Sequence, residues 1–237
     1  MGRGWVNNIR VASAAKKGKV FTKIAKEIAV SVKLGGAHPE GNARLRTALR
    51  DAQKNSVPKD TVDRAIKRGL GGGGEAALEE ITYEGYGPHG IAVLVEALTD
   101  NRNRTVQDLR AAFVRGKGNL GEFGSVSWMF DRIASIVAKA PASKPDPEEA
   151  AINAGANEVE GADGENGEKL WHFIAEPNSL AEVEKALAAE GWEIVKGEIS
   201  FKPKTPMTLT PEQEKDLDHF IELIDDSDDV KRFHLSV

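Results

Sequence analysis

Apolar residues in the first seventy positions recur at three- and four-residue spacing, the repeat of helices with one buried side. From Lys16 to about Val32, the residues Phe21, Ile24, Ile28 and Val32 form one face. At about 100° per residue, Lys19, Lys23, Lys26 and Lys33 fall in a narrow arc almost opposite, so the helix should dock on a core and turn a lysine stripe to solvent. Gly35-Gly36 ends it. A second helix, about Asn42 to Lys54, points Leu45, Ala48, Leu49 and Ala52 inward and Arg46, Arg50 and Lys54 outward as a ridge. A third starts near Pro58, with Asp60 and Asp63 near its positive end; it buries Val62, Ala65 and Ile66, exposes Arg64, Lys67 and Arg68, and stops at Gly69. Together they predict a three-helix basic bundle, followed by a flexible linker at Gly69–Gly74.

From Ile81 the period falls to two. Strands are predicted at Ile81–Tyr86 and Ile91–Leu98, joined by the turn Gly87-Pro88-His89-Gly90. A helix over Val106–Val114 and a strand over Ser125–Phe130 follow. Strand Ile133–Ala138, helix Pro147–Ala154, strands Glu158–Gly161 and Leu170–Ala175, helix Ser179–Glu190 and strand Trp192–Phe201 then spell β-α-β-β-α-β, a ferredoxin-like unit. The tail, helix Thr210–Ile224 and strand Val230–Leu235, supplies what the β-β-α-β segment 81–130 lacks. The expected architecture is α+β: a basic helical domain (1–74), an α/β domain (75–132 plus 206–237), and an acidic ferredoxin-like domain (133–205) inserted in it.

Charge sharpens this division. The net −5 of the 237 residues hides a first segment, 1–74, with 16 Lys+Arg against 5 Asp+Glu, and a last, 141–237, with 9 against 23. Such polarity suits a basic module for a polyanion and an acidic module for another partner, for instance a protein. The competing reading is that the two ends pair with each other. There is no cysteine, which removes disulfide scaffolds, thiol catalysis and zinc fingers and suits a reducing compartment. The longest apolar run, Gly90–Val95, is far short of the ~20 residues that span a bilayer. A cytoplasmic monomer with no membrane contact is expected.

Catalytic signatures are missing. The glycine run is not followed by Gly-Lys-Ser/Thr, and no strand precedes it to make a dinucleotide fingerprint. The five histidines are scattered, His38-Pro39-Glu40 lacks the cysteine pair of a deaminase, and there is no Gly-x-Ser-x-Gly elbow. Asp225-Asp226-Ser227-Asp228-Asp229 lacks the glycine and final glutamate of a calcium loop and reads as a solvated acidic loop. No catalytic residue, metal or cofactor is expected.

The segments KGKVFTKIAKEI, KLGGAHPEGNARLRTAL (33–49), VPKDTVDRAIKRG (57–69), YEGYGPHGIAVLVEALTDNRNRT (83–105) and GNLGEFGSVSWMF (118–130) closely resemble the YebC/PmpR family. The match is dense to about residue 130, thins through 131–200, and returns weakly at PMTLTPE (206–212). The resemblance implies a helical bundle followed by two ferredoxin-like domains, one inserted in the other. It also implies a regulator of gene expression: bacterial members are described as probable transcriptional regulators. A mitochondrial relative activates translation of a cytochrome oxidase subunit, and other members are linked to relief of ribosome stalling. Arg3-Gly4 before Trp5 and Arg10-Val11-Ala12-Ser13 after Ile9 depart from the usual opening, so contacts made there by the family's Lys and His do not carry over.

The candidate phosphate contacts are therefore Lys16, Lys17, Lys19, Lys23, Lys26 and Lys33, then Arg44, Arg46, Arg50 and Lys54, then Arg64, Lys67 and Arg68. An ordinary solvated surface is the competing reading. About six phosphate contacts would each add about 0.7–0.9 to the salt slope. In the loop Thr99–Thr105, Asn101, Arg102, Asn103 and Arg104 suit phosphate or ribose, although Asp100, Asn101 and Asn103 are equally natural helix caps. Trp5, Tyr83 and Tyr86 are candidate stacking residues, with core packing the alternative for the two tyrosines. No helix starts with a cluster of base-reading Asn, Gln and Arg, so readout of a duplex sequence is unsupported. DNA and ribosomal RNA both remain open as targets, with RNA favoured; a charge-polarised protein–protein adaptor is the remote alternative.

Overall fold

The computed structural model describes residues 17–72, 74, 76–143, 146–164 and 167–237. They form two compact units, one of residues 17–129 with 203–237 and the other of 130–202.

In the larger unit, helices α1 (Lys17–Gly35), α2 (Ala43–Lys54) and α3 (Lys59–Gly69) form where the apolar period places them. Ile28 and Val32 pack with Leu45, Ala48, Ala52 and Ala65. Asn42 joins α1 to α2: its carboxamide accepts from the Leu45 amide (3.0 Å) and donates to the carbonyls of Ser31 and Gly36 (both 2.8 Å). The second side of α1 is apolar as well. Ala29 and Val30 pack with Leu78 and Leu98. Leu78, just past the predicted linker, is thus packed against α1, and Gly72 donates back to the Lys67 carbonyl at 2.9 Å; Gly73 and Glu75 lie outside the described residues.

Strands β1 (Glu79–Tyr86) and β2 (Ala92–Thr99) pair in register from Glu79↔Thr99 to Tyr86↔Ala92. Helix α4 (Arg102–Arg115), strand β3 (Asn119–Leu120), helix α7 (Pro211–Asp225) and strand β8 (Val230–Leu235) complete an α/β layer with sheet order β3-β1-β2-β8. Its core holds Val93, Val95, Leu109, Ile224 and the T-shaped pair Phe113–Phe220, centroids 5.0 Å apart. Each such buried side chain stabilises by roughly 1.5–3 kcal/mol relative to exposure. All of β2 is buried, including Glu96, which His234 (2.8 Å) and Arg232 (2.9 Å) satisfy. Burial alone would raise the Glu96 carboxyl, but the His234 hydrogen bond and the Arg232 charge outweigh it and hold it at about 2.

One strand lies elsewhere than the alternation predicts. The edge strand of this sheet is Asn119–Leu120, and Ser125–Met129 is a turn and a short 3-10 segment instead. The cause is Glu84. Its buried carboxylate accepts from the backbone amides of Gly124, Val126 and Ser127, each at 2.8 Å, and so curls the loop around itself. Gly85 lets β3 come close: a Cβ there would stand 2.6 Å from the Asn119 carbonyl and 2.7 Å from Phe113.

The smaller unit has strands β4 (Phe130–Lys139), β5 (Glu158–Asp163), β6 (Lys169–Ala175) and β7 (Glu193–Pro203) in the order β5-β6-β4-β7. Helices α5 (Pro147–Ala154) and α6 (Leu180–Ala189) share a core with Ile136, Phe173, Leu187 and Trp192. His172 and Ser135 pair at 2.8 Å between β6 and β4, and burial pushes the imidazole down to about 4. The chain is thus a mixed α+β protein with two four-stranded antiparallel sheets and, among the described residues, seven α-helices.

Candidate nucleic-acid interface

The basic side chains of the bundle fall into two sets. Most of the stripe on α1 is turned away from open solvent, because Ala29 and Val30 dock that helix on the α/β layer; Lys33 stays exposed. The lysines beside them meet the loop that follows α7. Lys19 pairs with Asp226, Lys23 with Asp225 at 2.7 Å, and Lys26 with Asp229. The same ammonium groups donate to the carbonyls of Asp226 (2.9 Å), Asp225 (2.8 Å) and Asp228 (3.1 Å), at the negative end of α7. Lys33 donates to the Leu78 carbonyl at 3.0 Å. The acidic run Asp225–Asp229 is therefore paired through Asp225, Asp226 and Asp229, while Asp226 and Asp228 still reach solvent. Lys16 and Trp5 lie outside the described residues, and only the backbone of Lys17 is described.

Asp229 is the centre of this contact. It is 5% exposed and receives Arg104 on both oxygens (3.1 and 3.0 Å) and the Thr105 hydroxyl (2.7 Å) besides Lys26. Burial would raise its carboxyl, but hydrogen bonds from Lys26, Thr105 and Arg104 prevail and hold it below the usual carboxylate range. Arg104, whose pKa Asp229 raises, also reaches Asp100 at 3.2 Å. Arg44 is likewise committed, to Glu27 (2.7 Å) and Glu80 (2.9 Å), and Lys231 joins the same two acids at 3.2 and 3.4 Å. Arg68 pairs with Asp100 at 3.2 Å and Arg102 with Glu79. Asn101 caps α4, accepting from the Arg104 amide at 3.1 Å, and Asn103 is exposed in the first turn. Arg102, Asn103 and Arg104 are thus the first turn of α4 rather than part of a loop, and both arginines are tied to acids of the scaffold. Tyr83 is half-buried and packs against the core; its phenol is raised chiefly by burial.

The second set is exposed. Arg46, Arg50 and Lys54 on α2 and Arg64 and Lys67 on α3 face solvent. Arg46 donates to the carbonyls of Pro39 (2.9 Å) and Glu40 (3.4 Å), and Arg64 to the Asp60 carbonyl (3.2 Å) and the Thr61 hydroxyl (3.4 Å). These neutral acceptors steady the guanidinium groups and leave their charge uncancelled. The side chains that the periodicity missed are Phe123 and Trp128, both exposed in the loop around Glu84. The Gly-Glu-Phe-Gly run was their local signal, a turn marker.

No group of His, Asp and Glu side chains is placed to hold a metal ion, and no helix is long and apolar enough to cross a membrane, both among the described residues. What remains is a multidomain α+β protein whose distinctive chemistry is surface charge on a helical module fixed to an α/β body. The chain belongs to the TACO1/YebC family: residues 5–72 match the family's N-terminal domain and residues 78–237 its second and third domains. It is 46% identical, over the full length of both chains, to the probable transcriptional regulatory protein Bd1964 of Bdellovibrio bacteriovorus. It is 43% identical to the probable transcriptional regulatory protein GM21_0933 of a Geobacter species, over 94% of this chain and 88% of that one. Among solved structures it resembles the conserved hypothetical protein Aq1575 of Aquifex aeolicus, with TM-score 0.79 and 37% identity over 94% of this chain and 90% of the other.

Proposed function

We propose that this protein is a non-enzymatic, cytoplasmic regulator of gene expression that binds RNA, foremost ribosomal RNA, through the exposed sides of α2 and α3. The observation that carries this reading is exposure: Arg46, Arg50, Lys54, Arg64 and Lys67 lie exposed on α2 and α3, whereas Lys23, Lys26 and Arg44 are drawn in against acids of the α/β layer or of α1. Phosphates attract such groups without reading sequence. The first turns of α2 and α3 hold no Asn or Gln to read base edges in a major groove, which favours RNA over a specific duplex. The names of the relatives favour promoter binding, the second reading. Within this reading the bundle (1–74) contacts nucleic acid, the α/β domain (75–132 plus 206–237) supports it, and the inserted acidic, ferredoxin-like domain (133–205) offers a surface for partner proteins. Co-sedimentation with ribosomal particles in DNase-treated lysate tests it. Arg46→Gln/Arg50→Gln/Lys54→Gln should lose that association; its absence in the unaltered protein, with a defined duplex competing at least ~10³-fold better than random DNA, would establish the promoter reading instead.

A further inference from the structure

Two large aromatic side chains stand in solvent on one short loop. Phe123 is 94% exposed and Trp128 66%. Neither position is accidental. Ser125 donates to the Glu122 carbonyl at 3.1 Å, and Gly124 has φ +85°, as a type II turn requires at its third residue. Phe123 is thereby the corner of the turn, with both ring faces open. The turn is fastened from inside by the Glu84 carboxylate through the Gly124, Val126 and Ser127 amides. Gly121 permits the closure, since a Cβ there would stand 2.6 Å from Ser125 Oγ.

The Ser125 carbonyl gathers the other two rings. It accepts from the Tyr86 hydroxyl at 3.2 Å and from the Trp128 indole N–H at 3.1 Å. Tyr86 is 36% exposed. The polar edges of both rings are bonded to the protein's own backbone at its surface, and both residues remain exposed. Hydrogen bonds also fix the two rings, so little rotamer freedom is lost when something lies against them.

We propose that Phe123, Trp128 and Tyr86 form a ledge on which unpaired bases of an RNA strand stack, a contact that the base-paired interior of a duplex cannot make. This rests on the RNA-binding reading above and deepens it. A nucleobase needs no hydrogen bond from a stacking surface and presents a π-face whatever its identity. Its phosphates complement the exposed cations of α2 and α3, on the same compact unit. Charge would then supply attraction and the ledge would select single strands.

The test uses the full chain and four 20-nucleotide probes: mixed-sequence single-stranded RNA, its DNA counterpart, the RNA duplex, and an abasic strand of equal charge. The Phe123→Ala/Trp128→Ala double variant should keep its circular dichroism, bind single-stranded RNA about tenfold or more weaker, and bind the duplex and abasic strand as the unaltered protein does. The salt slope should be unchanged, and Trp128→Phe should restore most of the affinity. Equal losses on the abasic strand, or no loss on single-stranded RNA, would overturn the ledge; the second result would assign the rings to a protein partner. A preference for single-stranded DNA over RNA would overturn the choice of RNA. If single-stranded RNA binds with a salt slope that Arg46→Gln/Arg50→Gln/Lys54→Gln flattens while the ledge variants bind normally, the ledge alone fails. No binding of any probe by the unaltered protein overturns both proposals.

Discussion

The two basic faces of the bundle are alike in sequence and opposite in fate. Lys19, Lys23 and Lys26 recur at helical spacing, as do Arg46, Arg50 and Lys54. The first set closes on Asp225, Asp226 and Asp229, and the second stays in solvent. What separates them is the back of each helix. α1 carries apolar residues on two sides and is drawn between α2/α3 and the α/β layer, whereas the buried residues of α2, Leu45, Ala48 and Ala52, belong to a single cluster. A periodic row of cations is therefore a binding face only where no second apolar row pulls it against the protein's own acids.

The comparison can be broken hardest at Asp229. Asp229→Ala strands Lys26, itself only 11% exposed, beside Arg104 and Thr105. Loss of one partner of a buried pair costs about 3–5 kcal/mol, to be read from urea unfolding, with Asp229→Asn recovering part. Acid should act through another buried carboxylate of the same α/β layer, Glu96. A carboxylate with a depressed folded pKa adds stability that is fully present above its unfolded value and lost as pH falls through the folded one. For Glu96, held at about 2, that loss should run from about pH 5 down to about pH 2 and amount to about 3 kcal/mol. Glu96→Gln should flatten the stability–pH curve over that window, and a curve identical to that of the unaltered protein would refute the assignment. Lys19→Gln, at a pair in which Lys19 is 37% and Asp226 66% exposed, should cost only about 0.2–1 kcal/mol. Smallest in stability is Arg46→Gln/Arg50→Gln/Lys54→Gln, within about ±0.5 kcal/mol at each position. That variant should nonetheless flatten the salt dependence of RNA binding by about 2–3, while Lys19→Gln/Lys23→Gln leaves it unchanged. Equal flattening by both sets would erase the distinction between the faces.

The elements were largely legible because each is written locally: apolar spacing for α1 to α4, turn residues for the β1–β2 hairpin, Thr210 and Pro211 at the start of α7. The alternation Ser-Val-Ser-Trp-Met-Phe, by contrast, imitates a strand. It is overruled by a carboxylate 40 residues earlier in the chain, Glu84, which no window around Ser125 contains. The fate of the lysine stripe was hidden for the same reason. Its acids lie 202 to 207 residues away, and only the opposed charges of the chain's two ends hinted at their meeting. The α2 ridge lies exposed, as its helical spacing alone places it.

That separation gives the paired face a history as well as a place. At roughly 5–20 residues per second, the 202 residues from Lys23 to Asp225 take about 10–40 s to synthesise. Throughout that interval α1 has its lysines and lacks the loop that neutralises them, while it emerges beside ribosomal phosphates. The newborn chain should thus bind polyanions more strongly than the finished one, until its last residues pair with those lysines. Asp225→Asn/Asp226→Asn, which leaves the core intact, restores that early state at Lys19 and Lys23, and should hold RNA more tightly than the unaltered protein, with a steeper salt slope.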